Sequence, residues 1–321
     1  MQRRALVGIF GLAALVLLAG GVALVQSREH DLPGEPDPDR SPDISLAPVT
    51  PFKHAYLIVL ENRDRDEVLG SPKAPFLNSL VADYGLASNY DAIRHPSQPN
   101  YLALFSGSPQ GVTDNDRHDL AGRNLADQLE AKGRTWRVFA ENYPGGCFAG
   151  KTASGGVDGP GTYARKHNPA ISFTDISSDP ARCANITDFA HFDPTAADFE
   201  LIVPNLCHDM HDCSLAKGDA WLQGFVPRIL DSPGWKDGGA LFITFDESSS
   251  DASAHNRVLT VVVAPGMTPG FDSSVHYTHY SLLRTIQQAW DLGCLDESCE
   301  ANDMVEFFGS PTDSSSPAPS P

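Results

Sequence analysis

Two stretches of sequence decide the fold, AYLIVLEN at residues 55–62 and ALFITFDE at residues 240–247. In each stretch, a short apolar run rich in β-branched and aromatic residues predicts a strand buried on both faces. The first run ends at Glu61, and the second ends at Asp246 and Glu247. Because open α/β sheets bind ligands outside the carboxyl ends of their strands, we expect these carboxylates to surround one point. Three acids at one point predict a bound cation.

Short apolar runs alternate with helix-like segments through the middle of the chain. The predicted strands are 55–60, 135–140, 199–203, 240–245 and 258–264, and the predicted helices are 74–84, 121–132, 217–230 and 279–291. This alternation predicts an α/β fold, a three-layer α/β/α sandwich with a largely parallel central sheet. Polar residues also follow the strands at 135–140 and 199–203. Asparagine and aspartate commonly begin turns, so each polar strand end taken alone also has a purely structural interpretation.

The two ends of the chain differ in composition from its middle. Residues 1–27 begin with a positive charge and continue as an apolar run, which predicts either a signal peptide or an N-terminal membrane anchor. Residues 28–50 are rich in proline and aspartate and predict a linker, and residues 310–321 predict a disordered Ser/Pro tail. Residues 51–309 are expected to form one catalytic domain. Under both interpretations of the N-terminus, this domain lies outside the cytoplasm.

The cysteine content agrees with an exported protein. The chain has six cysteines, an even number that suggests disulfides in an oxidising compartment. The expected bridges join the pairs that are close in sequence, Cys207–Cys213 and Cys294–Cys299, which leaves Cys147–Cys183. The alternative, a zinc site, requires a C-x-x-C type of spacing that the sequence lacks.

The overall charge limits the partners of this protein. The formal net charge is −18, which argues against nucleic acid, because phosphate backbones attract basic surfaces. A phosphorylated small molecule or lipid held by a local cation is compatible with this charge. We expect a monomer, in contact with the membrane only if the N-terminal segment is not cleaved.

Ser97 is the candidate nucleophile, in the stretch HPSQPNYLALFSG at residues 95–107. It lies two residues before Pro99, and proline is favoured in the first turn of a helix. A serine at such a position is most often an N-cap. However, a helix N-terminus also offers free N–H groups and a positive dipole end to a phosphoryl group. A hydroxyl bound to a metal at that point would be deprotonated and aimed at phosphorus.

The order of these motifs resembles the phosphoesterase family of the alkaline phosphatase superfamily, which includes bacterial acid phosphatases and phospholipases C. The matching stretches lie within residues 54–290 and are APFLNSL, HPSQPNYLALFSG, YARKH, DMHDCSLAKGDAWL and FDES. The resemblance implies an alkaline phosphatase-like fold and hydrolysis of phosphoric esters. It also implies phosphatidylinositol 3-phosphate as one candidate substrate.

The resemblance further implies roles for individual residues. Four of them would hold one divalent cation, with the serine as an alkoxide: Glu61, Ser97, Asp246 and Glu247. Asn62 would lie beside them, and Asn100 would donate a hydrogen bond to a phosphate oxygen. His211 of DMHD and His167 of YARKH would bind phosphate or protonate the leaving group.

This chain departs from the two-zinc members of the superfamily in ways that favour one metal. It has Glu247 where those members have histidine, and Asn205 where they have aspartate. Oxygen ligands favour a hard cation such as Mg²⁺, Mn²⁺ or Ca²⁺, while Zn²⁺ is also compatible. His279, which opens the last predicted helix, is expected to cap or pack there.

The sequence therefore predicts an exported, metal-dependent acid phosphatase that acts through a phosphoserine. One alternative is a phospholipase C-like diesterase, which the short length of the domain disfavours. Another is a non-catalytic surface protein that binds a cation for stability. Calcium-binding loops usually take their acids from one local segment, whereas these acids come from distant strands.

Overall fold

The computed structural model describes residues 52–156, 159–249 and 255–308. The predicted leader, linker and Ser/Pro tail lie outside the described residues. Within the described ranges, none of the helices combines the length and the apolar character needed to cross a bilayer.

Strands in the described part of the chain belong to one large sheet and two small ones. They are β1 (Ala55–Leu60), β2 (Gly85–Ala87), β3 (Tyr90–Asp91), β4 (Trp136–Ala140), β5 (Thr152–Gly156), β6 (Gly159–Ala164), β7 (Ile186–Thr187), β8 (Phe199–Val203), β9 (Ala240–Phe245), β10 (Thr260–Val263), β11 (Phe271–Ser273) and β12 (Tyr277–Thr278). Eight strands form the central sheet in the order β11-β2-β10-β9-β1-β8-β4-β7. In this sheet β10 is antiparallel to both of its neighbours, and the remaining neighbouring strands are parallel to each other.

Helices connect these strands along the chain. They are α1 (Arg65–Val68), α2 (Pro75–Asp83), α3 (Ser97–Ser106), α4 (Leu125–Ala131), α5 (Thr174–Ser177), α6 (Pro180–Cys183), α7 (Leu215–Leu230), α8 (Pro233–Lys236) and α9 (His279–Ala289). Short 3-10 helices cover Arg165–His167, Ala170–Ser172, Phe189–His191, Asp296–Cys299 and Val305–Phe308. Helix α3 packs against α9, and α2 packs against α7.

Local chemistry explains where the helices begin and end. Asn124 and Asp127 form a reciprocal capping box that begins α4. Helix α3 ends at Gly107, whose φ of 74° lies in the left-handed region that glycine adopts without steric cost. A side chain there would also clash with the backbone of Leu295, because a Cβ atom would lie 2.0 Å from its carbonyl oxygen.

The predicted α/β fold with a largely parallel sheet is confirmed. The three most apolar strands have the predicted bounds, at Ala55–Leu60, Phe199–Val203 and Ala240–Phe245. The hairpin of β5 and β6 was not predicted, because its glycine-rich sequence has little strand propensity. The three expected disulfides are present, joining Cys147 to Cys183, Cys207 to Cys213 and Cys294 to Cys299.

The register of the sheet brings the acidic strand ends together. Strand β1 lies between β9 and β8 and is parallel to both. Leu60 pairs with Phe245, so Glu61 and Asp246 are the next residues at the same edge. Every residue of β1 and β9 is buried, which fixes this register by packing on both faces.

Candidate active site

The candidate active site lies at the carboxyl edge of the central sheet. Its side chains come from five segments, which are the ends of β1 and β9, the first turn of α3, the 3-10 helix at Arg165–His167 and the loop after β8. Together these segments supply Glu61, Ser97, Tyr101, Lys166, His167, Asp209, His211, Asp246 and Glu247. The predicted residues Asn62 and Asn100 belong to the same neighbourhood, at the end of β1 and in α3.

Ser97 lies between two buried carboxylates. Its Oγ atom is 3.1 Å from Oε2 of Glu61 and 3.0 Å from Oε1 of Glu247. The Nζ atom of Lys166 approaches the same hydroxyl at 3.2 Å. Ser97 is the first residue of α3, and Pro96 occupies the N-cap position. The serine hydroxyl therefore contacts charged groups of the site instead of capping the helix.

Asn100 organises the loop that precedes Ser97. Its Oδ1 atom accepts hydrogen bonds from the backbone N–H groups of Ile93 and Arg94, and its Nδ2 atom donates to the carbonyl groups of Arg94 and Pro96. These bonds hold the loop against the start of α3. The binding of phosphate by Asn100 stays a prediction, and these contacts support a positioning role.

Asp246 is anchored through one carboxylate oxygen only. Its Oδ1 atom accepts from the backbone N–H groups of Asn62 at 3.1 Å and Glu247 at 2.7 Å. Its Oδ2 atom is buried and has no hydrogen-bond partner among the described residues. Burial raises the pKa of this carboxyl well above its usual range, and the charges of Glu61 and Glu247 raise it further.

These oxygen atoms fit a divalent cation. The Ser97 hydroxyl has one proton, so it cannot donate to Glu61 and Glu247 at the same time. Asp246 adds the buried oxygen without a donor. A cluster of oxygen atoms with too few protons is the environment that a hard cation satisfies. Glu61, Ser97 and Glu247 are therefore suited to contribute oxygen ligands to a metal such as Mg²⁺, Mn²⁺, Ca²⁺ or Zn²⁺, while the place of Asp246 as a ligand stays a prediction.

His167 lies between Glu61 of this cluster and one further carboxylate, that of Asp209. Its Nε2 atom lies 2.9 Å from Oε1 of Glu61, and its Nδ1 atom lies 3.2 Å from Oδ2 of Asp209. Burial favours the neutral imidazole, but the two carboxylates outweigh burial and raise the pKa of His167. In the same way, burial opposes the charge on Glu61, but His167 outweighs it and lowers the pKa of Glu61 to about 2.

Glu61, His167 and Asp209 are also close enough to bind a metal themselves. One ligand atom from each lies within 4.8 Å of the others, and all three residues are buried. However, both ring nitrogens of His167 already face carboxylates. With the imidazole protonated, this group is an ion-paired triad that needs no metal. The triad orients Glu61 from the side opposite to Ser97, together with a 2.7 Å hydrogen bond from Tyr101.

His211 and Lys166 form the solvent-facing side of the site. The Nζ atom of Lys166 lies 3.1 Å from Nε2 of His211. The Nδ1 atom of His211 lies 2.7 Å from Oδ1 of Asp212, which orients the ring. The bridge between Cys207 and Cys213 closes the loop that carries His211. This arrangement places one imidazole and one ammonium group beside the Ser97 hydroxyl.

Two histidines contact the acidic residues that follow β9. The Nδ1 atom of His95 lies 2.7 Å from Oε2 of Glu247. The Nε2 atom of His279 lies 2.7 Å from the carbonyl oxygen of Asp246, so this nitrogen must carry the proton. Burial lowers the pKa of His279 to about 4, which keeps the ring neutral. As expected, His279 packs at the start of α9.

Sequence reasoning missed three residues that contact the predicted ones. Lys166 and Asp209 lie inside the stretches YARKH and DMHD, where only the histidines attracted attention. Tyr101 follows Asn100 in the serine motif and was not singled out as a site residue. The available signal was their position beside predicted site residues, and only the folded geometry separates them from other neighbours.

Comparison with known proteins identifies the family. The sequence matches the family described as "Phosphoesterase family" over residues 69–293. The chain belongs to the phosphoesterase family. The matched region contains every predicted site residue except Glu61 and Asn62, which lie just before it.

Curated relatives of this phosphoesterase are phosphatases. A phosphatidylinositol-3-phosphatase of Mycobacterium tuberculosis is 32% identical over 275 residues, which cover 84% of this chain and 87% of the relative. A probable acid phosphatase of Kluyveromyces lactis is 29% identical and covers 81% of this chain, but the match spans 63% of that relative. The phosphoesterase described here is accordingly a phosphatase, a hydrolase of phosphoric ester bonds.

Solved structures place the phosphoesterase in the fold of the alkaline phosphatase superfamily. An alkaline phosphatase superfamily protein from Vibrio parahaemolyticus aligns with a TM-score of 0.51, 11% identity, and coverage of 80% of this chain and 71% of that one. A phosphonate monoester hydrolase from Silicibacter pomeroyi aligns with a TM-score of 0.51, 10% identity, and coverage of 81% and 78%. At this identity the similarity concerns the fold alone.

Proposed function

We propose that this protein is an exported phosphomonoesterase that depends on one divalent cation and forms a phosphoserine at Ser97. The observation that carries the proposal is the position of the Ser97 hydroxyl. It lies at the start of α3, within 3.1 Å of two carboxylate oxygens and 3.2 Å of an ammonium group. Glu61, Asp246 and Glu247 would hold the cation together with Ser97.

The cation, when bound, would lower the pKa of the serine hydroxyl and neutralise charge on the phosphoryl group. Ser97 Oγ would attack phosphorus in line, forming an Oγ–P bond as the bond from phosphorus to the ester oxygen breaks. Lys166 is placed to donate to a non-bridging oxygen as charge builds on it. The N-terminal N–H groups of α3 would add further donors.

His211 is the best candidate for the proton that the leaving alcohol requires. Asp212 accepts from its Nδ1 atom and Nε2 accepts from the Lys166 ammonium, so Nε2 would carry a proton for the leaving group only once Lys166 turns to the phosphoryl oxygen. His167 is enclosed between Glu61 and Asp209, so its support for catalysis would come through Glu61. Water would then attack the phosphoserine on phosphorus, releasing phosphate and restoring the Ser97 hydroxyl.

Phosphatidylinositol 3-phosphate is the candidate substrate that the relatives suggest, since one of them carries that activity in its name. Three disulfides support a location outside the cytoplasm, where such bridges persist. The protein would meet lipid substrates there as a monomer, or as a membrane-anchored enzyme if the leader is retained.

A phosphate-release panel tests the proposal. Wild-type protein and Ser97→Ala are compared on p-nitrophenyl phosphate and on its bis-ester, before and after chelation, with add-back of Mg²⁺, Mn²⁺, Ca²⁺ or Zn²⁺. We expect wild-type activity on the monoester only, its loss on chelation and its return with one of the four cations. Full activity of Ser97→Ala would refute the assignment of the nucleophile, and faster release from the bis-ester would favour a diesterase.

A further inference from the structure

A cavity of about 340 Å³ lies beside the candidate active site. It is bounded by the segments 115–117, 149–152 and 164–166 and by Leu206. Its volume is in the range of pockets that hold small ligands. The proposed phosphatase chemistry at Ser97 does not use this space. We call it the cationic cavity, because of the side chains that line it.

The net charge of the residues that line the cationic cavity is opposite in sign to the net charge of the whole protein. Asp116 is the acidic residue among the described residues that line the cavity. Four basic residues also line it: Arg117, Lys151, Arg165 and Lys166. Four positive charges and one negative charge give the lining a formal charge of +3, and the Asp119 carboxylate, 3.1 Å from the Arg117 guanidinium, lowers the local charge to +2 in a chain whose total is −18. Like charges held together cost free energy, so an anionic ligand is the natural explanation for this grouping.

Arg165 is the buried member of this group of basic residues. The residue is 3% exposed, and one of its terminal nitrogens donates to the carbonyl oxygen of His118 at 2.8 Å. Its Nε atom is buried and has no hydrogen-bond partner within the described part of the chain. A buried guanidinium with an unused donor is costly, and Arg165 keeps this charge at the wall of the cavity.

Lys166 connects the cationic cavity to the reacting atoms. It lines the cavity, and its Nζ atom lies 3.2 Å from Ser97 Oγ. A substrate whose phosphoryl group lies on Ser97 can therefore extend past Lys166 toward Lys151 and Arg117. The group that enters the cavity belongs to the leaving alcohol, since the phosphoryl group itself stays at Ser97.

We propose that the cationic cavity binds a second anionic group carried by the leaving alcohol. The preferred substrates would then be phosphomonoesters that bear another phosphate on the same small ring or chain. This inference rests on the proposed function. A soluble sugar bisphosphate and a phosphoinositide headgroup share the required chemistry, because the headgroup carries a phosphodiester beside its monoester.

Substrate pairs that differ in one anionic group test the inference. The kcat/KM for inositol 3-phosphate is compared with that for inositol 1,3-bisphosphate and for dioctanoyl phosphatidylinositol 3-phosphate. We expect the bisphosphate to be preferred over the monophosphate by about tenfold, the effect of one added charged hydrogen bond. A further preference for the lipid over the monophosphate would identify the headgroup as an accepted source of the second anion.

Equal kcat/KM values for the two soluble inositol phosphates would overturn the inference, including the case in which the lipid alone is preferred. Turnover of p-nitrophenyl phosphate by the same preparation keeps this outcome separate from failure of the proposed function. That failure would appear as absence of turnover on every monoester.

Substitutions in the cavity give a second, independent readout. Lys151→Ala changes an exposed side chain, so the fold should be retained, and it should lower the ratio of kcat/KM for bisphosphate over monophosphate about threefold. Lys132→Ala is the matched control, because Lys132 follows α4 and pairs with Asp291 on the surface. An unchanged ratio in Lys151→Ala, or an equal loss in Lys132→Ala, would contradict the proposal.

Discussion

Ser97 has one hydroxyl proton, for which two carboxylates compete, and its oxygen accepts a hydrogen bond from an ammonium group. The carboxylates of Glu61 and Glu247 each lie about one hydrogen bond away, and Lys166 donates from the other side. The serine oxygen is thus surrounded by charged groups, as the proposed role of Ser97 as nucleophile requires. An ordinary buried serine would instead bond a backbone carbonyl, as Ser106 does to Leu102 at the other end of α3.

Removal of the Lys166 charge should slow catalysis without unfolding the protein. In Lys166→Met, we expect kcat/KM for p-nitrophenyl phosphate to fall about 100-fold, the effect of losing one preorganised donor to a developing charge. The free energy of unfolding should change little, because Lys166 is only partly buried. Lys132→Met changes an exposed lysine that follows α4, and this control variant should keep wild-type kinetics. A loss of less than threefold in Lys166→Met would exclude a role in charge stabilisation.

Replacement of His211 should affect poor leaving groups most. In His211→Gln, the kcat for an alkyl phosphate should fall about 100-fold, because an alkoxide needs a proton to leave. The kcat for p-nitrophenyl phosphate should fall far less, because p-nitrophenolate leaves without one. Steady-state kinetics on both substrates measure the difference, with the exposed His191→Gln as control. Equal losses on both substrates would assign His211 to phosphate binding instead.

Among the elements, the loop after β8 contributes most to the site for its length. It carries Asp209 and His211, and its ends are joined by the bridge between Cys207 and Cys213. A backbone hydrogen bond of 2.8 Å from the Glu61 N–H to the Asp209 carbonyl joins this loop to the end of β1. The loop is thereby held to the end of β1, beside Glu61, which is a predicted metal ligand.

Two disulfides that close loops of similar length allow an effect on stability to be distinguished from an effect on the position of His211. The double variant Cys207→Ala/Cys213→Ala and the double variant Cys294→Ala/Cys299→Ala each open a short loop and should each cost about 2 kcal/mol of stability. Only the first should also lower kcat about tenfold, because it frees His211. The second bridge lies near Gly107, at the end of α3 away from Ser97. Urea unfolding and steady-state kinetics on both variants check this. Equal activity in the two variants would contradict the role assigned to the loop.

Elements were predictable from the sequence where packing alone decides them. The runs in β1 and β9 are buried on both faces, so their apolar composition marks their bounds. The hairpin of β5 and β6 was not visible, because its glycine-rich sequence carries no alternation. The ion-paired partners of His167 were also not visible, since Glu61 and Asp209 come from segments that are distant in sequence.

At the scale of the whole molecule, the order of the strands in the sheet brings motifs that are distant in sequence together in one site. Strand β1 lies at the centre, between β9 and β8, so the loops that follow all three strands meet around Glu61. The three acids and Ser97 could be proposed as site residues from the sequence, because strand ends and helix starts have local signatures, and their roles stay predictions. It did not predict the cationic cavity, which depends on how the segments around Arg117, Lys151 and Arg165 pack together.

A buried acid in the middle of this sheet should make stability depend on pH. Glu200 lies fully buried in β8, and burial raises its pKa to about 8. The folded state therefore holds this proton more tightly than the unfolded state. The resulting stability is complete below about pH 4.5 and is lost as the pH rises toward 8.

Glu200→Gln should remove this loss. Compared with wild type, the variant should gain about 3.5 kcal/mol more stability at pH 8 than at pH 5, measured by urea unfolding. The exposed Glu300→Gln is the control and should show no such difference. A gain that is equal at both pH values would mean that Glu200 ionises normally in the folded protein.

Covalent phosphate on Ser97 is the most direct test of the central claim. Wild-type protein is mixed with p-nitrophenyl phosphate and the active cation, quenched in acid within the first turnovers, and analysed by intact mass and peptide mapping. The account predicts one added phosphoryl group on the peptide that begins α3, located at Ser97 and not at Ser106, and none in Ser97→Ala. Phosphate on another residue, or an unmodified protein together with an active Ser97→Ala variant, would contradict it.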